Sequence, residues 1–491
     1  MSSLKCLLGC ALLGALTGCG AQSNNKAAND GSGGTTGGSG GSGSGGQVSQ
    51  VSGLLSAVTT RFPEVGAAQA CVDTPLRLTF KAPVKLGSSG KIQVFKVSDP
   101  SVPADVIDMS MPLTDQIDLI GGRTFHVAPI QLDGDTAIVR LHTKKLSAGE
   151  SYFVTVEDGV FLDEAGASLG ALSDAAAWRF TTRSAGPADP SKLSVALDAS
   201  GDFCSVQGAL DFVPTLSSTP VTVQLKNGVY REIVMAANKS HLTLRGEDRK
   251  NTIIAYANND NQQVLLGTKW RAMTHWENVS DLLIENLTLH NLTDVSGGKG
   301  NQAEALRIEP GERVTVRHVD VLSLQDTLLI AGHVYFEDCY IEGNVDFVWG
   351  RGVGYFQGCE LKTVGRVGYN VQSRNAAGAY GFIFVDSKLT STMGFMGNYL
   401  GRIDVSVYPG SQVAYVDCQM GPHIAAAGWV VTPEGSTVPD TLRFGEYNST
   451  DLDGQPLDVS QRHPASRQLT ATEATTLRDK VTILGWDPAA Q

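Results

Sequence analysis

The chain has 491 residues, a formal net charge of −12, and 42 % hydrophobic against 18 % charged residues. At roughly 150 residues per domain it is too long for one ordinary domain, and its acidic balance argues against nucleic acid as a partner. No apolar run approaches the roughly 20 residues of a membrane-spanning helix. Gly is 55 of 491, above the usual share of about 7 %, which points to turns and linkers rather than long helices.

Residues 1–18 read as a secretory signal, with Lys5 as the positive region and an apolar stretch over 6–16. Leu16-Thr17-Gly18-Cys19 resembles the lipobox of bacterial lipoproteins. The resemblance implies acylation of Cys19, which would hold the protein on a membrane without spanning it. Gly20, where an Asp would favour inner-membrane retention, points to the outer membrane. The alternative is an ordinary signal peptide cleaved nearby. Residues 19–51 form a Gly/Ser-rich tether, with ten Gly between Gly31 and Gly46. Such a coil reaches roughly 30 Å. Cys71, Cys204, Cys339, Cys359 and Cys418 remain beyond it. They allow one or two bridges in an oxidising compartment but are no disulfide scaffold. Neither CxxC nor HExxH occurs, so no metal site is legible.

Residues 52–183 show short runs of period two, as in Leu76-Arg77-Leu78-Thr79-Phe80, broken by Gly, Asp and Pro. That pattern predicts an all-β sandwich, and the stretch resembles bacterial Ig-like domains. The Gly166-Ala167-Ser168-Leu169-Gly170 match to a serine-hydrolase elbow lacks the strand–turn–helix context and is read as chance. Residues 184–192, with Pro187 and Pro190, are a linker.

From residue 193 to 491 a six-residue pattern recurs, apolar at i, i+3 and i+5 apart from Ser387. Its copies start at Ile284, Val316, Phe336, Phe356, Phe384 and Tyr415. Intervals of 20 to 32 residues mean a solenoid. β-Branched and aromatic residues favour strands over helices, so the expected fold is an all-β parallel β-helix preceded by the sandwich. Leu287, Val319, Cys339, Cys359, Ser387 and Cys418 then form an internal ladder. Adjacent Cys339 and Cys359 are read as buried free thiols, a disulfide being the alternative.

Asp326 and Asp346 are also 20 residues apart. In register they sit on adjacent strands, with Cα atoms roughly 5 Å apart. Two close carboxylates in an apolar surround titrate in separate steps, giving one anion and one acid at the same pH. A surface Asp ladder or a hydrogen-bonded turn Asp is the other reading.

Several stretches now carry a family resemblance: residues 228–232, Gly-Val-Tyr-Arg-Glu; 302–306, Gln-Ala-Glu-Ala-Leu; 325–327, Gln-Asp-Thr; 343–350, Gly-Asn-Val-Asp-Phe-Val-Trp-Gly; 399–402, Tyr-Leu-Gly-Arg; and Gly428-Trp429. In this order over 193–491 they resemble the pectinesterase (pectin methylesterase) family of parallel β-helix esterases. The resemblance implies hydrolysis of methyl-esterified galacturonan, as pectin or its oligomers, to free carboxylate and methanol. It implies Asp346 as nucleophile and Asp326 as acid and then base. Gln302 and Gln325 would be oxyanion donors. Arg402 would orient Asp346. Phe347 and Trp429 would be cleft aromatics that meet the sugar, with core packing the alternative for Phe347. It implies no metal or organic cofactor, and the protein is expected to act as a monomer.

After Arg402 the family usually places an aromatic, but Ile403 and Asp404 stand here. A carboxylate at that place would repel ionised sugar, which predicts a preference for short, highly methylated oligogalacturonides. Competing readings are a related β-helix esterase or thioesterase on a non-pectin substrate, a β-helix glycosidase using the same carboxylates, and a non-catalytic polysaccharide binder.

Overall fold

The computed structural model describes residues 53–266, 270–294, 301–392, 394 and 396–491. The signal, Cys19 and the whole of the 19–51 tether lie outside the described residues. The sandwich has two four-stranded antiparallel sheets. One orders Val58–Phe62, Leu76–Phe80, Thr136–Val139 and Ile130–Asp133; the other orders Arg179–Thr181, Ser151–Val156, Lys91–Lys96 and Pro103–Asp108. Leu76, Leu78 and Phe80 are buried and alternate with half-buried Arg77 and Thr79, as strands packed on one face require. Ser168 lies outside any strand–turn–helix element. Its Oγ donates to Asp158 at 2.6 Å, in an exposed turn.

From Lys192 onward the chain winds into parallel coils. One sheet of 17 strands and one of eight run along the solenoid. The six-residue repeat is a strand bent at a corner, continuous through the first two copies and broken there into two short strands in the later ones. Its third residue is left-handed in each coil: Asn286, His318, Asp338, Gly358, Asp386 and Asp417 have φ between 48° and 62°. Asn, Asp and Gly are the residues that tolerate this region best. The corner turns the fourth residue inward, so Leu287, Val319, Cys339, Cys359, Ser387 and Cys418 are all buried. Cys339, Cys359 and Cys418 are free thiols.

The first residue of the repeat builds a second ladder. Phe336, Phe356, Phe384 and Tyr415 stack with centroid distances of 4.6, 4.4 and 4.8 Å. Parallel strands place like residues at the strand spacing, so rings must stack along the axis. The same regularity carries the eight-stranded sheet. Its order is Val234–Ala237, Thr274–Glu277, Leu306–Ile308, Leu328–Ile330, Val345–Gly350, Tyr369–Ser373, Tyr399–Asp404 and Trp429–Thr432.

The sandwich is tied to the first coils. Cys71 and Cys204 form a disulfide across 133 residues. Asp73 accepts from the Ser205 backbone N–H at 2.8 Å and from its Oγ at 2.7 Å, beside the start of the helix Val206–Phe212. Ile120, Phe125 and Val127 of the sandwich join the solenoid's own core. A cavity of 620 Å³ lies at this junction, lined among others by Arg77, His142, Phe203 and Tyr230; neither Asp326 nor Asp346 borders it.

Candidate active site

The two aspartates lie one coil apart, Asp346 within the Val345–Gly350 strand of the eight-stranded sheet and Asp326 in the bend before Leu328–Ile330. Gln325 bridges to Val345, Leu328 pairs with Val348, and the Asp326 N–H donates to the Val345 carbonyl at 3.0 Å. Both aspartates adopt left-handed backbone, with φ of 63° at Asp326 and 49° at Asp346. For a non-Gly residue this costs of order 1–3 kcal/mol and persists only where the surroundings enforce it. Here it interrupts the strand alternation, and the pairing register shifts between Val345 and Val348. Both aspartates are 4 % exposed, so neither belongs to a solvated surface ladder.

Their surroundings differ. Arg402 meets Asp346 with a fork, its Nε 2.8 and 3.1 Å from the two carboxylate oxygens and its Nη2 bonded to Oδ2. A charge-assisted bidentate pair fixes the carboxylate's orientation. The pairing raises the Arg402 pKa, and Tyr369 lies 4.8 Å from its guanidinium. Asp326 is held well above the usual carboxylate range, first by burial and then by the charges of Glu304 and Asp346, against the pull of Arg271 and Arg374. One carboxylate paired with a cation and one biased towards its acid form is the division of labour that acid–base chemistry needs.

Gln302 and Gln325 both lie beside the pair. Gln302 is anchored through its backbone N–H to Asp260 Oδ1 at 3.1 Å, and its side-chain oxygen accepts from Arg271 Nη1. That oxygen is thereby occupied, which leaves the amide N–H₂ as the group available to a negative oxygen. Gln325 immediately precedes Asp326, and its carbonyl accepts from the Ala303 N–H at 3.2 Å.

Phe347 and Trp429 are corrected by the structure. Phe347 is wholly buried. It packs so closely over Gly343 that a Cβ there would lie 2.2 Å from its own. Trp429 is 1 % exposed, stacks on Phe444 at 4.5 Å and donates from Nε1 to Glu446 at 3.3 Å. Both fill the solenoid interior rather than a cleft. Besides Tyr369 against Arg402, the aromatic at these arginines is Trp349, half-buried, with Arg374 at 4.5 Å and Arg271 at 5.5 Å from its ring. Arg374 also lies 5.5 Å from the ring of Tyr408. Ile403 is buried in the core, and the Asp404 carboxylate accepts from the Ser406 N–H at 3.0 Å and from its Oγ. Asp404 is thus bound within its own turn. Strand alternation was the signal for Trp349: its immediate neighbour Val348 is buried in the core, so Trp349 takes the opposite face.

A parallel β-helix bearing a cation-paired carboxylate beside a proton-biased one has the groups that hydrolysis of an ester or a glycoside uses. The pectinesterase family model matches residues 192–476, more than half of the chain, and a bacterial Ig-like domain model matches residues 56–182. The chain belongs to the pectinesterase family. It is 30 % identical to pectinesterase 2 of Olea europaea over 294 residues, 56 % of this chain and 74 % of that one. The pectin methylesterase PemA of Erwinia chrysanthemi is 25 % identical with a TM-score of 0.52, over 60 % of this chain and 98 % of that structure. A pectin methylesterase solved with a hexasaccharide gives 25 % identity and a TM-score of 0.51 over the same shares. The protein is a carboxylic ester hydrolase that demethylates pectin.

Proposed function

We propose that Asp346 is the nucleophile and Asp326 the proton carrier of this demethylation. A carboxylate oxygen of Asp346 attacks C6 of a methylated galacturonate. The carbonyl electrons move to oxygen, where the Gln302 and Gln325 amides donate to the developing charge. Collapse breaks the bond to the methoxy oxygen, which takes the Asp326 proton and leaves as methanol. Asp326, now a carboxylate, removes a proton from water as that water attacks the acyl-enzyme, and Asp346 is released as a carboxylate. The observation that carries this reading is the contrast between the Arg402 fork on Asp346 and the burial that biases Asp326 towards its acid form.

Methylated galacturonan, as polymer or oligomer, is the substrate class, in keeping with the hexasaccharide held by the related esterase. The protein acts as a monomer, anchored through Cys19 to the outer membrane, with residues 19–51 as the spacer. The test is methanol release from highly methylated pectin, measured beside new reducing ends. Methanol without reducing ends is expected; reducing ends without methanol would instead indicate a glycosidase.

A further inference from the structure

We infer that Arg271 and Glu304 form a buried pair that positions Asp326 and Gln302 together, with Glu304 cancelling the charge Arg271 would otherwise impose on Asp326. The inference rests on the roles proposed for those two residues. Arg271 precedes the Thr274–Glu277 strand and Glu304 precedes Leu306–Ile308, so consecutive coils bring them together. Arg271 is 5 % exposed and Glu304 not at all. The guanidinium serves three side chains. Its Nε lies 3.0 and 2.9 Å from the Glu304 oxygens, its Nη1 bonds Gln302 Oε1, and its Nη2 lies 2.8 Å from Asp326 Oδ2.

Stability does not account for this arrangement, because a buried ion pair is often no more stable than apolar residues in its place. Its contacts do. A guanidinium only donates, in a rigid planar fork. It therefore holds the Gln302 oxygen towards itself, turns the N–H₂ away, and fixes one Asp326 oxygen, leaving the other for the substrate. Unopposed, it would also keep Asp326 ionised and unable to protonate methanol. Glu304 supplies the opposing charge. The other groups facing Asp326 are Asp346, Arg374 and Arg402, and Asp260 lies near Arg271.

The test is a carbon-13 carboxyl titration of Asp326, assigned by loss of its signal in Asp326→Asn, run beside the pH profile of kcat/KM for methanol release from methylated pectin. Glu304→Gln removes a negative charge, so Asp326 ionises more readily. Its titration, and the alkaline limb of the rate, should move about one pH unit towards acid. Arg271→Gln should move both the opposite way by about as much. Should that variant not fold, Arg271→Lys still decides. The charge stays but the fork is lost, so the Asp326 titration should remain near wild type while kcat falls about tenfold or more. An unmoved Asp326 titration in Glu304→Gln, or wild-type kcat in Arg271→Lys, overturns the inference. Titrations that shift as stated in a protein that releases no methanol would support the pair and refute the catalytic reading instead.

Discussion

At the residue scale, the protein keeps a carboxyl where burial opposes its charge. Asp326 has a folded pKa above its unfolded value. Between the two values the native state binds more protons than the unfolded one, so stability falls as pH rises through that window. Each unit of separation costs about 1.4 kcal/mol above it. Asp326→Asn removes the ionisation and is expected to raise the melting temperature at neutral pH, with the gain shrinking towards pH 4. A variant less stable than wild type at pH 7 would contradict this. The Asp pair was legible in the sequence because a fixed 20-residue step puts equal positions one coil apart. Arg402 was legible through its motif. Arg271 and Glu304 were not, since a pair separated by 33 residues shows no period and meets only when two coils stack. Trp429 misled because its Gly-Trp motif does not say which face the ring takes. The ring went inward to stack on Phe444, over the close approach of Gly401.

At the element scale, one repeat explains both the corner and the core. The β-branched and aromatic residues at i, i+3 and i+5 identified strands, but the corner lay in the residues between, where Asn, His, Asp and Gly alternate without a hydropathy signal. Asp338, at φ 48°, should lose about 1–2 kcal/mol when replaced by Val, because a β-branched side chain resists the left-handed region. Phe356 contacts a ring above and a ring below. Phe356→Ala should cost about 3–5 kcal/mol, read as a lower denaturant midpoint at unchanged slope. The cleft stack obeys a different rule. Trp349 faces outward with Arg374 against its ring, an arrangement worth about 1 kcal/mol. Trp349→Ala is expected to raise KM for methylated oligogalacturonides about fivefold while kcat changes less, as loss of uniform binding does. A fall in kcat at constant KM would place the ring in the chemistry rather than in binding.

At the scale of the whole molecule, the sandwich is more than a bead on the tether. A disulfide, the Asp73 bonds beside the Val206–Phe212 helix and three apolar side chains shared with the solenoid core tie it to the coils. The sequence left that pairing open, because five scattered thiols do not choose their partners. Cys71→Ser should lower stability by about 2–5 kcal/mol, seen as a lower melting temperature that reducing agent no longer changes. Cys19→Ser should move the protein from the membrane to the soluble fraction, since acyl chains would be its anchor; unchanged fractionation would refute lipidation. The central claim is that one carboxylate attacks while its neighbour carries the proton. It is tested most directly by the initial rate of methanol release from highly methylated pectin with Asp346→Asn, at a concentration matched to wild type and with the fold checked by circular dichroism. The account predicts a loss of at least about 10²-fold with the fold intact; methanol release near the wild-type rate would contradict it.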